Sequence, residues 1–233
     1  MRFPAKLEQA TLLRRYKRFL ADIRLPDARE LTIHCPNTGS MRSCSEPGSP
    51  VCFSTSDNPK RKYPHTLEMV RSGNTWIGVN TSRTNTIVAE ALADGKIQEL
   101  QNFEVMKREV KTSKGSRLDI LLCSGEKKTY IEVKNCSLVE NGCALFPDAV
   151  TARGTKHLNE LARLVKRGHS AVIFFLIQRG DADRFAPAAG IDPLYAGTLC
   201  SVHGQGVKIL AYQADVQPES IEIVKRLPVT LEQ

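Results

Sequence analysis

The eight residues Ser170–Ile177 (SAVIFFLI) carry no charge and only one polar side chain, that of Ser170. The run is much shorter than the roughly 18–20 apolar residues that cross a bilayer. It therefore has to be hidden from water inside the protein. A strand hidden on both faces is a central strand with helices packed above and below it. The flanking sequence supplies such helices. Thr151 to Arg167 reads as a helix stopped by Gly168, Pro193 to Gln205 as another, and Thr86–Ala93 (TIVAEALA) as a third stopped by Gly95. Further strands are expected at Val105–Lys111, Arg117–Cys123, Thr129–Asn135 and Val207–Tyr212, with Gly115 and Gly125 punctuating the first three and a loop over Glu140–Pro147. The order α-β-β-β-α-β-α-β predicts a mixed sheet flanked by helices.

The first 80 residues read differently. Leu7–Leu13, Tyr16–Arg24, Glu30–Cys35, Val51–Ser54 and Trp76–Val79 are short strand candidates, separated by turn-forming Pro26-Asp27, Pro36-Asn37-Thr38-Gly39 and Glu46-Pro47-Gly48. About five short strands in so few residues suit an OB-like β-barrel. The expected class is thus α/β in the α+β sense, with a barrel over residues 1–81 and a mixed sheet over 82–233. No apolar stretch followed by small residues opens the chain, and no run is long enough to span a membrane. A cytoplasmic protein without a membrane partner is expected. The 7 cysteines are odd in number and include no C-x-x-C pair, which points to reduced thiols rather than a zinc site.

Charge is uneven along the chain. The formal net charge is +8, and residues 1–80 hold 13 Lys and Arg against 7 Asp and Glu. Local positive excess attracts polyanions through counterion release. Two clusters concentrate it, Arg14, Arg15, Lys17 and Arg18 around Tyr16, and Lys60, Arg61 and Lys62 before Tyr63. Basic grooves with aromatic neighbours suit nucleic acid, and without base-reading geometry the expected contacts are to phosphates of DNA, with little sequence preference. A solvated basic surface is the competing explanation.

Chemistry concentrates in two strands. In Arg117–Cys123, alternation puts Asp119, Leu121 and Cys123 on one face and Leu118, Ile120 and Leu122 on the other. In Thr129–Asn135 it puts Tyr130, Glu132 and Lys134 opposite Ile131 and Val133. A short glycine turn between them predicts antiparallel pairing, which brings Asp119, Glu132 and Lys134 together. Two carboxylates are ligands for Mg²⁺ or Mn²⁺, and a lysine beside them can orient water or neutralise phosphate charge. Glu90 on the upstream helix is a further candidate carboxylate, and Lys156 with His157 could face the same cleft. A solvated face with cross-strand ion pairs is the alternative.

The order of elements and the Asp119…Glu132-x-Lys134 pattern resemble the PD-(D/E)XK nuclease superfamily, except that Leu118 replaces the proline. The literal Pro147-Asp148 follows the Glu-x-Lys segment and is out of order. More specific segments are HCPNTGSM (His34–Met41), SDNPKRKYPHT (Ser56–Thr66), VNT (Val79–Thr81), SRLD (Ser116–Asp119), YIEVKN (Tyr130–Asn135) and FPDAVTARGTKHL (Phe146–Leu158). Together they resemble the sugar fermentation stimulation protein A family from about Leu12 to Leu231. That resemblance implies an OB fold joined to a nuclease-like domain, non-specific DNA binding, and a part in regulating sugar (maltose) metabolism. A metal-dependent nuclease, a DNA-binding regulator that keeps the nuclease fold as scaffold, and an accessory protein for RNA or an acidic partner all remain open.

Overall fold

The structure, a computed structural model, describes residues 1–113 and 115–231. Its first part is a β-barrel. Strands β1 (Glu8–Tyr16), β2 (Leu20–Arg24), β3 (Glu30–His34), β4 (Pro50–Thr55), β5 (His65–Ser72) and β6 (Thr75–Gly78) pair in the order β3-β2-β1-β4-β5-β6. A parallel bridge between His34 and Thr66 joins β3 to β5 and closes the barrel. Its interior is filled by Leu12, Ile23, Ile33, Phe53, Leu67 and Ile77, all buried.

The sequence divides Tyr16 from Arg24 less clearly than the structure does. The expected strand Tyr16–Arg24 is broken by a tight reversal at Lys17-Arg18, whose φ angles are +49° and +62°. That left-handed conformation is uncommon for such side chains, so no Gly, Asn or Asp announces the turn. Strand β5 is absent from the expected set because Glu68 sits in its middle. In the fold that glutamate is buried and its charge is matched by Arg83.

The second part is a six-stranded mixed sheet. After α1 (Thr84–Ala93) come β7 (Val105–Ser113), β8 (Ser116–Ser124) and β9 (Lys127–Cys136). Then follow β10 (Leu138–Glu140), β11 (Cys143–Phe146), α2 (Ala152–Lys166), β12 (Ser170–Ile177), β13 (Arg184–Pro187), α3 (Pro193–Gly204), β14 (Lys208–Val216) and β15 (Ile221–Arg226). The large sheet has the order β15-β14-β12-β9-β8-β7, with β12 parallel to both β9 and β14. Seven of the eight residues of β12 are buried, as a strand between two helical layers must be. The expected loop Glu140–Pro147 is instead a hairpin of β10 and β11, which β13 joins in a small three-stranded sheet. Strands β13 and β15 are additions to the expected set, and β14 runs four residues beyond Tyr212.

Helix α2 starts where Thr151 Oγ1 accepts a hydrogen bond from Gly154 N at 3.0 Å. Asp192 caps α3 through Tyr195 N at 3.0 Å and accepts from Thr151 N at 2.8 Å, fixing the starts of α2 and α3 to each other. One core lies between the sheet and α1 and takes in Leu7, Cys52 and Met69 of the barrel. The other lies between the sheet and α2 with α3. The two parts also meet through polar contacts. Gly78 N donates to Gln178 O at 2.9 Å, Met41 N to Asp148 Oδ2 at 3.1 Å, and Arg179 Nη1 to Ser43 Oγ at 2.9 Å.

Candidate active site

A cleft of about 680 Å³ lies between barrel and sheet. The barrel contributes Arg18, the loop Asn37–Gly39 and Thr81 to its wall, and the sheet contributes Asp119, Glu132 and Lys134. The loop Phe146–Ala149, Arg153 and His157 complete it. Gly39 is required by the close approach of the two parts, because a Cβ there would stand 2.4 Å from the Asp148 carboxylate oxygens.

The period-2 rule fails in β8 at the residue that matters. Ile120 and Leu122 pack in the core under α1, but Leu118 packs in the core under α2. Pairing of β8 with β9 ends at Ile120 opposite Ile131, and in β7 the neighbouring Glu109 has φ +54°. Strand β8 therefore turns over at Asp119 and leaves its carboxylate at the fork between two strands. There Asp119 Oδ2 accepts from Val133 N at 2.7 Å and Oδ1 from Asn85 Nδ2 at 2.8 Å. Burial, and after it the nearby negative charge of Glu132, push the Asp119 carboxyl up to about 6.

Glu132 is 2% exposed. Its Oε1 accepts from Lys134 Nζ at 2.5 Å and is hydrogen-bonded to His157 Nδ1 on α2. Its Oε2 is buried without a partner among the described residues. Burial raises its proton affinity, but the His157 hydrogen bond and the Lys134 charge outweigh burial and hold the carboxyl below its ordinary range. The buried Tyr195 hydroxyl, which also feels the charge of Glu132, likewise lacks a partner among the described residues.

The structure thus brings Asp119, Glu132 and Lys134 together, with His157 beside them. Two further candidates need correction. Glu90 does not face the cleft; its carboxylate lies 3.0 Å from the Met1 amine, and Asn85 is the α1 residue that reaches Asp119. Lys156 is also absent from the cleft wall, since its Nζ is turned to Gly115 O at 3.1 Å.

The basic clusters divide as well. Arg14 pairs with Asp22 at 2.7 Å and lies over the Tyr16 ring. Arg15 donates to the carbonyls of Arg18, Asn37 and Gly39 and so holds the barrel loop in place. Lys17 is exposed on the hairpin, and Arg18 beside it reaches the cleft. Lys60 and Lys62 are exposed, Lys62 lies over Tyr63, and Arg61 turns inward to Thr66 Oγ1 at 2.8 Å. Asn85 escapes sequence reasoning because an amide in a first helical turn carries no spacing signal.

The whole chain has close relatives. Residues 13–79 match the model of the SfsA N-terminal OB domain, and residues 82–220 that of the sugar fermentation stimulation protein RE domain. A sugar fermentation stimulation protein homolog of Desulfotalea psychrophila is 58% identical over 231 residues, 99% of this chain and 95% of the relative. One from Shewanella loihica is 53% identical over 234 residues, 99% of this chain and 100% of the relative. The structure of Pyrococcus furiosus SfsA in complex with Ca²⁺ superposes with a TM-score of 0.90 at 25% identity, covering 99% of this chain and 98% of that one. On these matches, the chain belongs to the sugar fermentation stimulation protein family, with an OB barrel followed by a mixed sheet flanked by helices.

Proposed function

We propose that this protein is a divalent-metal-dependent nuclease that binds DNA through its phosphates with little sequence preference. One observation carries the reading. Glu132 Oε2 is buried and, among the described residues, unpartnered beside Asp119, whose carboxyl has been pushed to about 6 by burial and by the charge of Glu132. An orphaned carboxylate oxygen next to a second, repelled carboxylate fits a hard cation, and Mg²⁺ or Mn²⁺ takes such oxygens. Among the described residues no third His, Cys, Asp or Glu joins the pair to form a closed site. That donor set suits a cation that keeps several waters rather than a structural zinc. The Ca²⁺ in the Pyrococcus furiosus relative is also an oxygen-seeking ion.

Asp119 and Glu132 would hold the metal, which when bound supplies a more acidic water and a polarised phosphodiester. The remaining roles fall to this chain's own groups. Asn85 and Val133 N–H orient Asp119, and His157 orients Glu132. Lys134, hydrogen-bonded to Glu132, can steady a water or offset phosphate charge. Arg18 and Arg153 face the cleft from its two sides as phosphate ligands. A role in regulating sugar metabolism rests on the family resemblance.

A second reading, a DNA-binding regulator with a silent nuclease fold, is favoured by a different observation. Both Asp119 oxygens and Glu132 Oε1 already accept hydrogen bonds from the protein. Calorimetric titration of Mn²⁺ into wild type and Asp119→Asn, with and without DNA, separates the two. The nuclease reading expects heat in wild type, none in Asp119→Asn, and Mg²⁺- or Mn²⁺-dependent cleavage that Lys134→Ala removes while still binding metal. A wild type that binds no metal even with DNA present leaves only the scaffold reading.

A further inference from the structure

A second cavity, of about 420 Å³, stands back to back with the carboxylate cleft. The two are divided where Thr81 Oγ1 donates to Pro36 O at 3.0 Å, since Pro36, Asn80 and Ser82 line this cavity while Asn37 and Thr81 line the cleft. Its wall is apolar at Phe3, Pro4, Leu7 and Pro36, and cationic and hydroxylic at Lys6, Arg61, Ser54 and Ser56.

The charges do not cancel. Glu68 is the acid in the lining, but it is 1% exposed and fully engaged by Ser54 at 2.6 Å, Asn80 at 2.7 Å and Arg83 at 2.9 Å. Arg83 neutralises it. Lys6 and Arg61 have no carboxylate partner among the described residues, and Arg61 spends one side-chain N–H, at Thr66 Oγ1. A guanidinium has five such donors in a planar fork, so most of them are available. His34, also in this wall, is held below its ordinary range first by burial and then by the charge of Arg61. The charged groups around it are Lys6, Arg61, Glu68 and Arg83. Two unmatched cations and a repelled histidine favour an anion.

The fork geometry and paired positive charge suit phosphate better than a single carboxylate. The volume lies within the range of small-molecule sites, roughly 300–1,000 Å³, and is larger than a bare inorganic ion needs. The apolar part of the wall offers a surface for a sugar or base. We propose that this cavity binds the phosphate monoester of a nucleotide, with the phosphate against Arg61 and Lys6 and the remainder along Phe3, Pro4 and Pro36. The phosphate could belong to a free mononucleotide or to the 5′ end of a nucleic acid strand.

The test is calorimetric titration with adenosine monophosphate, adenosine and inorganic phosphate, in EDTA and in the Asp119→Asn background. Under those conditions failure here is distinct from failure of the metal reading. The monophosphate is expected to bind at least about tenfold more tightly than adenosine, inorganic phosphate to bind more weakly than the monophosphate, and Arg61→Gln to weaken the monophosphate about tenfold or more. The His34 ring should titrate at higher pH in the complex. Lys6→Gln, at an exposed residue, gives a second variant should Arg61→Gln not fold. No monophosphate binding at millimolar concentration overturns the proposal. So does equal binding of monophosphate and adenosine, or wild-type affinity in whichever of these variants folds. Among supporting outcomes, stronger competition by a 5′-phosphorylated than a 5′-hydroxyl oligonucleotide identifies a strand end, and equal competition a free nucleotide.

Discussion

Among the described residues, Glu132 has two donors on one oxygen and none on the other, and His157 is the donor that comes from outside its strand. Replacing His157 with Ala leaves a nearly inaccessible carboxylate with Lys134 alone. The expected result is a loss of about 1–3 kcal/mol in denaturant melts of the metal-free protein; an unchanged midpoint would show that the histidine does not support Glu132. Residue by residue, the sequence reveals the Asp119, Glu132 and Lys134 group but not its partners. Lys156 and His157 are equally plausible from composition. Gly154, His157, Leu158 and Leu161 form the buried i, i+3, i+4, i+7 stripe of α2, and that periodicity selects His157 over Lys156. Glu90 lies five residues past Asn85, about 140° around the helix at roughly 100° per residue, so one facing the cleft implies the other facing away.

Helix α2 is fastened to the sheet by Glu160 and Arg163. Glu160 Oε2 accepts from Arg163 Nε at 2.8 Å, and Arg163 Nη2 donates to Thr112 O at 3.4 Å. The Arg163 hydrogen bond, ahead of the opposing effect of burial, holds the Glu160 carboxyl down at about 2. A carboxyl depressed in the folded state stabilises fully above its unfolded pKa of about 4.5 and loses that contribution as pH falls from about 4.5 to 2. Glu160→Gln should therefore cost about 1 kcal/mol at pH 7, after allowing for solvent screening, and only a small fraction of that near pH 2. Urea melts at the two pH values check this, and an equal cost at both would remove the ion pair as the cause. Among elements, β12 is legible because its hydrophobicity is continuous. Strand β13 is not, because its four residues Arg184–Pro187 derive their pairing from β11 rather than from any internal pattern. Strand β5 is hidden by a glutamate whose neutralising arginine lies fifteen residues on.

Across the whole molecule, the positive charge of the barrel divides between outer surface and cavities. Lys60 and Lys62 stay outside, so their joint replacement by Ala should lower the salt slope of DNA binding by about 0.9 for each phosphate they neutralise. An unchanged slope would take this loop out of the DNA surface. A division of the chain at 81/82 is proposed from the change from short strands to a helix, yet Leu7, Cys52 and Met69 share a core with Ile87, Val88 and Val172 across it. The fragment 82–233 should thus melt at a lower denaturant concentration than the whole chain and bind a hydrophobic dye. Equal midpoints would mark two independent folding units. The hydrogen bond from Phe3 N to Glu219 O at 3.1 Å, beside the bridge between Arg2 and Ser220, joins positions more than two hundred residues apart. On a ribosome adding roughly 5–20 residues per second, the segment leading into the barrel waits on the order of ten seconds or more for its partner. Until the turn before β15 emerges, Leu7 has only part of its core, and the growing chain carries an unfinished seam that a chaperone could occupy.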